Sequence, residues 1–335
     1  MSRYRDNLAP GDFETAERYC FRALTLDDQS PDVHLAIGQI YDVSGQFEKA
    51  RDSYNNVLSM NPEHFGARLG LANTYIREDP GLTERTLTEL MRDHPGSPSG
   101  YSSLQYLYFQ LGRYEEAVEP ARWAVRLSPN NETFKFSLSS DLILAGMFSE
   151  AKTLLLGMLE EGTPRTGDVQ SNLATVYFFE GDYGDAAELY RIAIERAPNS
   201  ATITRNLGDA IWHLEGKIEA EPIFREVVRL GQLQLEINPD DTNVLSSLVV
   251  AWGSLGDEIQ LEANLQRSLS VASADPQMSY DGAVAYSRVG KLEIARGYVI
   301  RARDLGYPEA LLQADPDIRL VGVELENLDT EQIVN

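Results

Sequence analysis

The sequence predicts an all-α solenoid of stacked helix pairs, on two punctuation marks and one apolar pattern. Prolines that follow apolar helical stretches stand at Pro62, Pro95, Pro129, Pro164, Pro198 and Pro239, with gaps of 33, 34, 35, 34 and 41 residues. Glycines able to end a helix stand at Gly45, Gly112, Gly146, Gly181, Gly216, Gly256 and Gly290; apart from a double gap of 67 and one of 40, they lie 34 or 35 apart. Between these marks the apolar residues recur with helical spacing. In 31–64, Ile37, Gly38 and Tyr41 share a face of a first helix, and Ala50, Tyr54 and Val57 share a face of a second. Such a pair cannot hide its apolar faces alone, so it must stack on its neighbours.

Taken in order, the units repeat one series. In 98–131 it reads Tyr101, Leu104, Tyr108, Gly112, Tyr114, Ala117, Ala124, Pro129; in 167–200 it reads Leu173, Ala174, Tyr177, Gly181, Tyr183, Ala186, Tyr190, Ala193, Pro198. This order of large, small, aromatic, Gly, Ala and Pro positions resembles the 34-residue tetratricopeptide repeat (TPR). The register gives eight units over 31–309: 31–64, 65–97, 98–131, 132–165, 167–200, 201–241, 242–275 and 276–309. Residues 1–30 hold an incomplete first repeat, a cap in which Phe13, Ala16, Cys20 and Ala23 take second-helix positions. The small residues Ala50, Ala117, Ala151, Ala186, Ala220 and Ala295 are expected where paired helices approach closely. Tyr41, Tyr75, Tyr108, Leu142, Tyr177, Ile211, Trp252 and Tyr286 are expected to fill the space beside them. The resemblance implies a right-handed superhelix whose first helices line the concave side.

Two units depart from the pattern. Repeat 65–97 carries Asp79-Pro80-Gly81 at its interhelix turn, with Thr83 at the small position. Repeat 201–241 is long, because 41 residues separate Pro198 from Pro239. The surplus is close to two turns at about 3.6 residues each, so one extended second helix keeps the same face inward, with Gly231 its expected weak point. The long helix, INPDD at 237–241 and RARDLGYPEALLQADPDIR at 301–319 resemble the TPR regions of bacterial multidomain signalling proteins. In those, the repeats follow a Ser/Thr-kinase, nucleotide-cyclase or winged-helix/TolB-like part. The resemblance rests on Gly306-Tyr307-Pro308 and Asp315-Pro316-Asp317, and it implies a regulatory region whose effector domain lies upstream. A capping helix over 310–320 and a flexible polar tail over 321–335 complete the expected organisation. In this register Met1 falls partway along a first helix, which leaves Phe13, Cys20 and Leu24 short of cover. Either a longer chain upstream or a second copy is expected there, the latter giving self-association through the incomplete repeat.

The net charge of −23 argues against nucleic acid and anionic membranes as partners, and suits a basic one. One cysteine, Cys20, allows no internal disulfide and no cysteine-built zinc site. The opening MSRYRDNLAP lacks the apolar core of a signal peptide, and no stretch nears the roughly 20 apolar residues of a membrane span, so a cytoplasmic setting is expected. His34, His64, His94 and His213 have no partner at metal-ligand spacing. A Walker loop, a G-x-S-x-G elbow and a kinase signature are absent. The expectation is a protein without catalytic residues, metal or cofactor.

For a binding module the resemblance places the ligand on the inner face of the first helices. One inner column there reads Ala36, Gly70, Ser103, Ser137, Asn172, Asn206, Ser247 and Asp281. Asn both donates and accepts, which suits the backbone of an extended peptide. Phe178 and Trp212 could seat apolar side chains, and Asp209 and Arg205 add charge beside them. The expected peptide site is therefore Ser103, Ser137, Asn172, Asn206, Asp209, Phe178, Trp212 and Arg205. The cationic clamp of chaperone-binding TPR proteins is not expected, because Arg205 is nearly alone at inner positions.

Overall fold

A computed structural model describes residues 10–163 and 165–322, which form 19 helices and no strand. Residues 1–9, Pro164 and 323–335, and with them the start of the incomplete repeat and most of the expected flexible tail, lie outside the described residues. The chain divides into two compact units between Phe134 and Lys135.

The first unit holds α1 (Pro10–Leu26), α2 (Pro31–Val43), α3 (Phe47–Met60), α4 (Phe65–Asn73), α5 (Pro80–Asp93), α6 (Pro98–Gln110) and α7 (Tyr114–Leu127). Proline opens α2, α5 and α6, where its missing N–H would have no helical partner anyway. Ala50, Tyr54, Val57 and Ala67 form one buried cluster; Ala72, Ile76, Leu87, Leu90, Met91 and Leu107 form the next. The short α4 is where the repeat departs from pattern, and Arg51 of α3 repairs it. Its Nη2 donates to the Thr74 carbonyl at 2.9 Å, its Nε to Thr74 Oγ1 at 3.1 Å, and it pairs with Glu78 at 2.7 Å. Thr83, at the small position, donates to the Ala72 carbonyl at 3.1 Å. Among the described side chains of α1 none is buried; Tyr19, Phe21 and Leu26 are exposed and Cys20 is half-buried.

The second unit begins within α8 (Glu132–Leu144) and continues through α9 (Phe148–Glu160), α10 (Thr166–Glu180), α11 (Tyr183–Arg196), α12 (Ala201–Leu214), α13 (Lys217–Ile237), α14 (Thr242–Leu255) and α15 (Glu258–Val271). It ends with α16 (Pro276–Arg288), α17 (Leu292–Asp304), α18 (Glu309–Ala314) and α19 (Pro316–Leu320). Side-chain caps start several of these helices. Ser200, Asp241, Asp257 and Asp275 each accept a backbone N–H of the first turn, at distances between 2.9 and 3.2 Å. Ala151, Ala186, Ala220 and Ala295 have no exposed surface, so each sits where two helices touch.

The tyrosines expected beside the close-approach alanines do more than fill space. Tyr108 donates to Glu84 at 2.9 Å and lies under Arg113, whose guanidinium is 4.5 Å from the ring centroid. Tyr177 carries Lys152 at 4.0 Å, and Tyr286 donates to Glu262. Each ring thus holds a hydroxyl partner or a cation at a helix surface.

Two sequence expectations change here. Gly231 is no weak point: α13 runs unbroken through it for 21 residues. The glycine is needed for closeness, since a Cβ would meet Leu248 Cδ2 at 2.8 Å. The expected single capping helix over 310–320 is two short helices, because Pro316 cannot continue α18 and Asp315 instead caps α19 by accepting from Ile318 N at 3.0 Å.

Those two helices fold back into their own unit. Gly146, at the turn after α8, faces α18: an added Cβ would lie 2.5 Å from the Ala310 Cβ. Gly146 and Gly181 both have left-handed backbones, with φ of 73° and 91°. Alanine in that conformation costs about 1–2 kcal/mol at either place. Around Gly181 nothing lies within 4 Å of an added Cβ, so only Gly146→Ala also strikes α18. Gly146→Ala should therefore lower the melting temperature clearly more than Gly181→Ala, and equal losses would contradict the contact. Ala186→Trp should overpack the α10–α11 contact, at about 1–3 kcal/mol or more in a denaturant titration.

Candidate functional site

On α12, Arg205, Asp209, Trp212 and His213 follow one another by four, three and one residues, which sets them along one helical face. On α16, Tyr280, Asp281, Ser287 and Arg288 stand one, six and one residues apart, which also sets them along one face. Between these faces lies the segment after α17. Gly306 turns the chain with φ of 90°, Tyr307 stacks on Tyr280 with centroids 4.3 Å apart, and α18 and α19 deliver Asp315 and Asp317.

Asp317 is the centre of the contacts. Its Oδ2 accepts from Arg288 Nη2 at 2.7 Å and Nε at 3.1 Å, and lies 3.1 Å from His213 Nε2. Its carbonyl accepts from Ser287 Oγ at 2.9 Å. Arg288 is held from behind by Asp209 at 2.7 Å and Ser254 at 2.8 Å, with Trp212 4.9 Å below its guanidinium. Arg205 joins Asp209 at 3.2 Å and Asp281 at 2.6 Å, and Asp281 also accepts from Ser246. Tyr280 donates to Asp315 at 2.5 Å. Arg288 has only 1% of its side chain exposed, so the cluster is a buried one.

Burial would raise Asp317, but Arg288 and His213 hold it down to about 2. Asp315 is buried beside Asp317 with only a tyrosine and a backbone N–H in direct support, and it is pushed up to about 6. Burial also raises Asp281, against the pull of Arg205.

The structure sorts the expected site residues into three places. Arg205, Asp209, Trp212 and Phe178 belong to this cluster; Phe178 is buried with its ring 5.8 Å from His213 and 5.5 Å from Tyr183. Asn206 borders it, accepting from Arg205 at 3.1 Å. Asn172 instead donates to Ser140 at 3.3 Å, from α10 to α8, and Ser137 is half-buried on α8. Ser103 lies in the first unit, where it accepts from Asn73 at 3.0 Å. The asparagines thus spend part of their hydrogen bonding on neighbours within their own unit.

Arg288 is the cation that sequence reasoning missed, and it ends the isolation of Arg205. The signal was present: Arg288 and His213 both occupy the thirteenth position of their repeats, which the resemblance counts as inner. Among the described residues no group of three His, Cys, Asp or Glu is placed to hold a metal ion, and no helix is long and apolar enough to cross a membrane.

The two carboxyls of α19 oppose each other with pH. Asp315 binds its proton more strongly folded than unfolded, so it favours the docked cap progressively as pH falls through about 6 toward the ordinary range near 4. Asp317 contributes stability that is full above that ordinary range and is lost as pH falls toward about 2. Hydrogen exchange of 309–321 should therefore slow between pH 7.5 and 5, after correction for intrinsic rates, relative to Asp315→Asn. The variant keeps an oxygen for Ile318 N and removes the titration, so matching profiles in the two proteins would refute the assignment.

With this geometry in hand, comparison with known proteins places the fold. A sequence model of the tetratricopeptide repeat matches residues 35–79 and 171–234. TPR repeat-containing protein YpiA of Bacillus subtilis is 26% identical over 229 residues, covering 65% of this chain and 52% of that protein, so the chain spans about half the length of this curated relative. A tetratricopeptide repeat protein from Parabacteroides merdae superposes with a TM-score of 0.54 at 12% identity, over 88% of this chain and 99% of its own. Human IFIT1, in a dimer with m7Gppp-AAAA, gives 0.58 at 15% identity, over 91% and 76%. Both likenesses are of fold. The repeat match and the shared architecture show that this chain carries tetratricopeptide repeats and folds as a TPR solenoid.

Proposed function

We propose that the chain is a non-catalytic protein-binding module that takes a peptide segment of a partner protein on the inner faces of its first helices. TPR proteins as a class mediate protein–protein interaction. The observation that carries the reading for this chain is the seating of residues 307–321 on α12 and α16. A peptide segment lies there with its carboxylate on two basic side chains, its carbonyl on Ser287 and its apolar residues Leu312 and Ile318 buried. Side-chain donors for a peptide backbone, cations for its acids and apolar seats for its side chains are what such a function requires. In the first unit Asn73 and Ser103 offer the corresponding polar positions, and Asn172 offers one on α10.

A capped RNA such as the one named with IFIT1 is a poor fit to a chain of net charge −23. A partner that is basic overall gains from that charge during encounter, even where the residues that enter the cleft are acidic. A second reading, a regulatory region attached to a separate effector, is favoured by the partial span of the relatives: the match covers only 20% of human protein O-mannosyl-transferase TMTC1. Its test is whether an effector domain precedes these repeats in the full reading frame.

Panning a random peptide display library on the full chain tests the main reading. A convergent motif should be enriched and should be lost in Asn73→Ala or Asn172→Ala protein that melts like the wild type. Enrichment of no motif, in repeated selections with a folded sample, would refute it.

A further inference from the structure

The basic groups of the inner cleft of the second unit are held by side chains of the cleft's own helices. Arg288 is positioned by Asp209 and Ser254, and Arg205 by Asp209 and Asp281, all of them from helices α12, α14 and α16. Two guanidiniums meet two resident carboxylates in that wall, so the wall carries no excess negative charge, and His213 adds a further basic group. The carboxylate it accepts comes from elsewhere in the chain.

The occupant, by contrast, has little order of its own. Helices α18 and α19 are six and five residues long. Isolated helices shorter than about 12 residues are marginal in water, so these two hold their form through docking. They hang from one glycine turn at Gly306. What they present is a compact signature: Leu311 and Leu312, then Asp315-Pro316-Asp317, then Ile318, with the leucines, both aspartates and the isoleucine buried against the unit.

We propose that this cleft is a receptor for a short acidic turn flanked by apolar residues, and that residues 307–321 occupy it in cis as a built-in ligand which a partner's segment of the same chemistry displaces. The inference rests on the protein-binding reading and adds the identity of the ligand and the state of the site. The carboxylates recognised are those of side chains within a turn. A tether this short gives the cis segment an effective concentration of about millimolar, so it excludes weak competitors. The overall charge of −23 also disfavours a free acidic peptide, which leaves the tethered one as the resident occupant.

The test uses the full chain and a fluorescent peptide of residues 306–322, followed by anisotropy. Wild-type protein should bind it weakly. Asp317→Ala, which loosens the cis segment, should bind it at least about tenfold more tightly. Adding Arg288→Gln should abolish the gain, and a peptide carrying Asp317→Asn should not bind. An Asp317→Ala chain with wild-type helix content and no gain, or binding indifferent to the peptide's aspartate, overturns the proposal. Should Asp317→Ala fail to fold, hydrogen exchange of the wild type decides. Excess unlabelled peptide, against a scrambled control, should accelerate exchange in 309–321; no acceleration up to millimolar peptide overturns the proposal. Panning of the wild type separates the two levels: if it still yields a motif that depends on Asn73 or Asn172, only the cis-occupied receptor fails, and if it yields none, the protein-binding reading fails with it.

Discussion

A helix pair of this kind has two apolar faces and only one internal contact to cover them, and everything else in the molecule follows from that shortfall. Each repeat covers its neighbour, as the fully buried Ala186, Tyr190 and Ala193 do in 167–200. The constraint is met differently beyond the last regular pair, α16 and α17. There the chain adds α18 and α19, which bury Leu312 and Ile318, and Val321 just after them is buried too. At the N-terminal end, among the described side chains, α1 leaves Tyr19, Phe21 and Leu26 exposed.

The manner of the C-terminal closure is unusual in its polarity. Apolar residues alone could have filled the space between α12 and α16, yet the chain places Arg205, Arg288, Asp209, Asp281 and Asp317 there. Taking charges from water is costly, and such a network is tolerable only when every member is paired. Here each arginine spans two carboxylates, and each is held in more than one direction. Two members are weakly compensated: Asp315, whose neighbours are a tyrosine hydroxyl, a backbone N–H and a second aspartate, and Arg205, whose buried Nε lies 3.2 Å from Asp209 without a hydrogen bond. Polar networks specify position more sharply than apolar contact does, because a shifted segment would leave buried charges without partners. The cluster therefore fixes where the terminal segment sits as much as how firmly.

Most of the fold was legible because a repeat states its pattern many times. The period, the two helices per unit, the buried alanines and the extended α13 all follow from residues whose spacing is local. The site was legible only in part. Arg205, Asp209, Trp212 and Phe178 come from two first helices and were readable as inner-face positions. Asp317, which Arg288 and His213 hold beside them, lies 104 residues from His213, and no local period points to it. Asp315-Pro316-Asp317 was visible as a motif, but a motif does not disclose which surface it meets. Gly231 was misread for a related reason: helix propensity counts the cost of a glycine and cannot register that Leu248 needs the room.

The return of the terminal segment also changes what kind of object the second unit is. An open solenoid is nearly one-dimensional, with contacts between neighbours and ends that unravel one repeat at a time. Contacts from Asp317 to His213, and from the turn at Gly146 to Ala310, tie distant parts of this unit together. Closing such loops carries an entropic cost that slows folding, since the long-range contacts reward the chain only after the ends have met. Once closed, the last repeat cannot peel away without breaking the buried ion cluster. The second unit thus behaves in folding as a single cooperative body, and its terminal repeat carries the protection that an open array reserves for its middle.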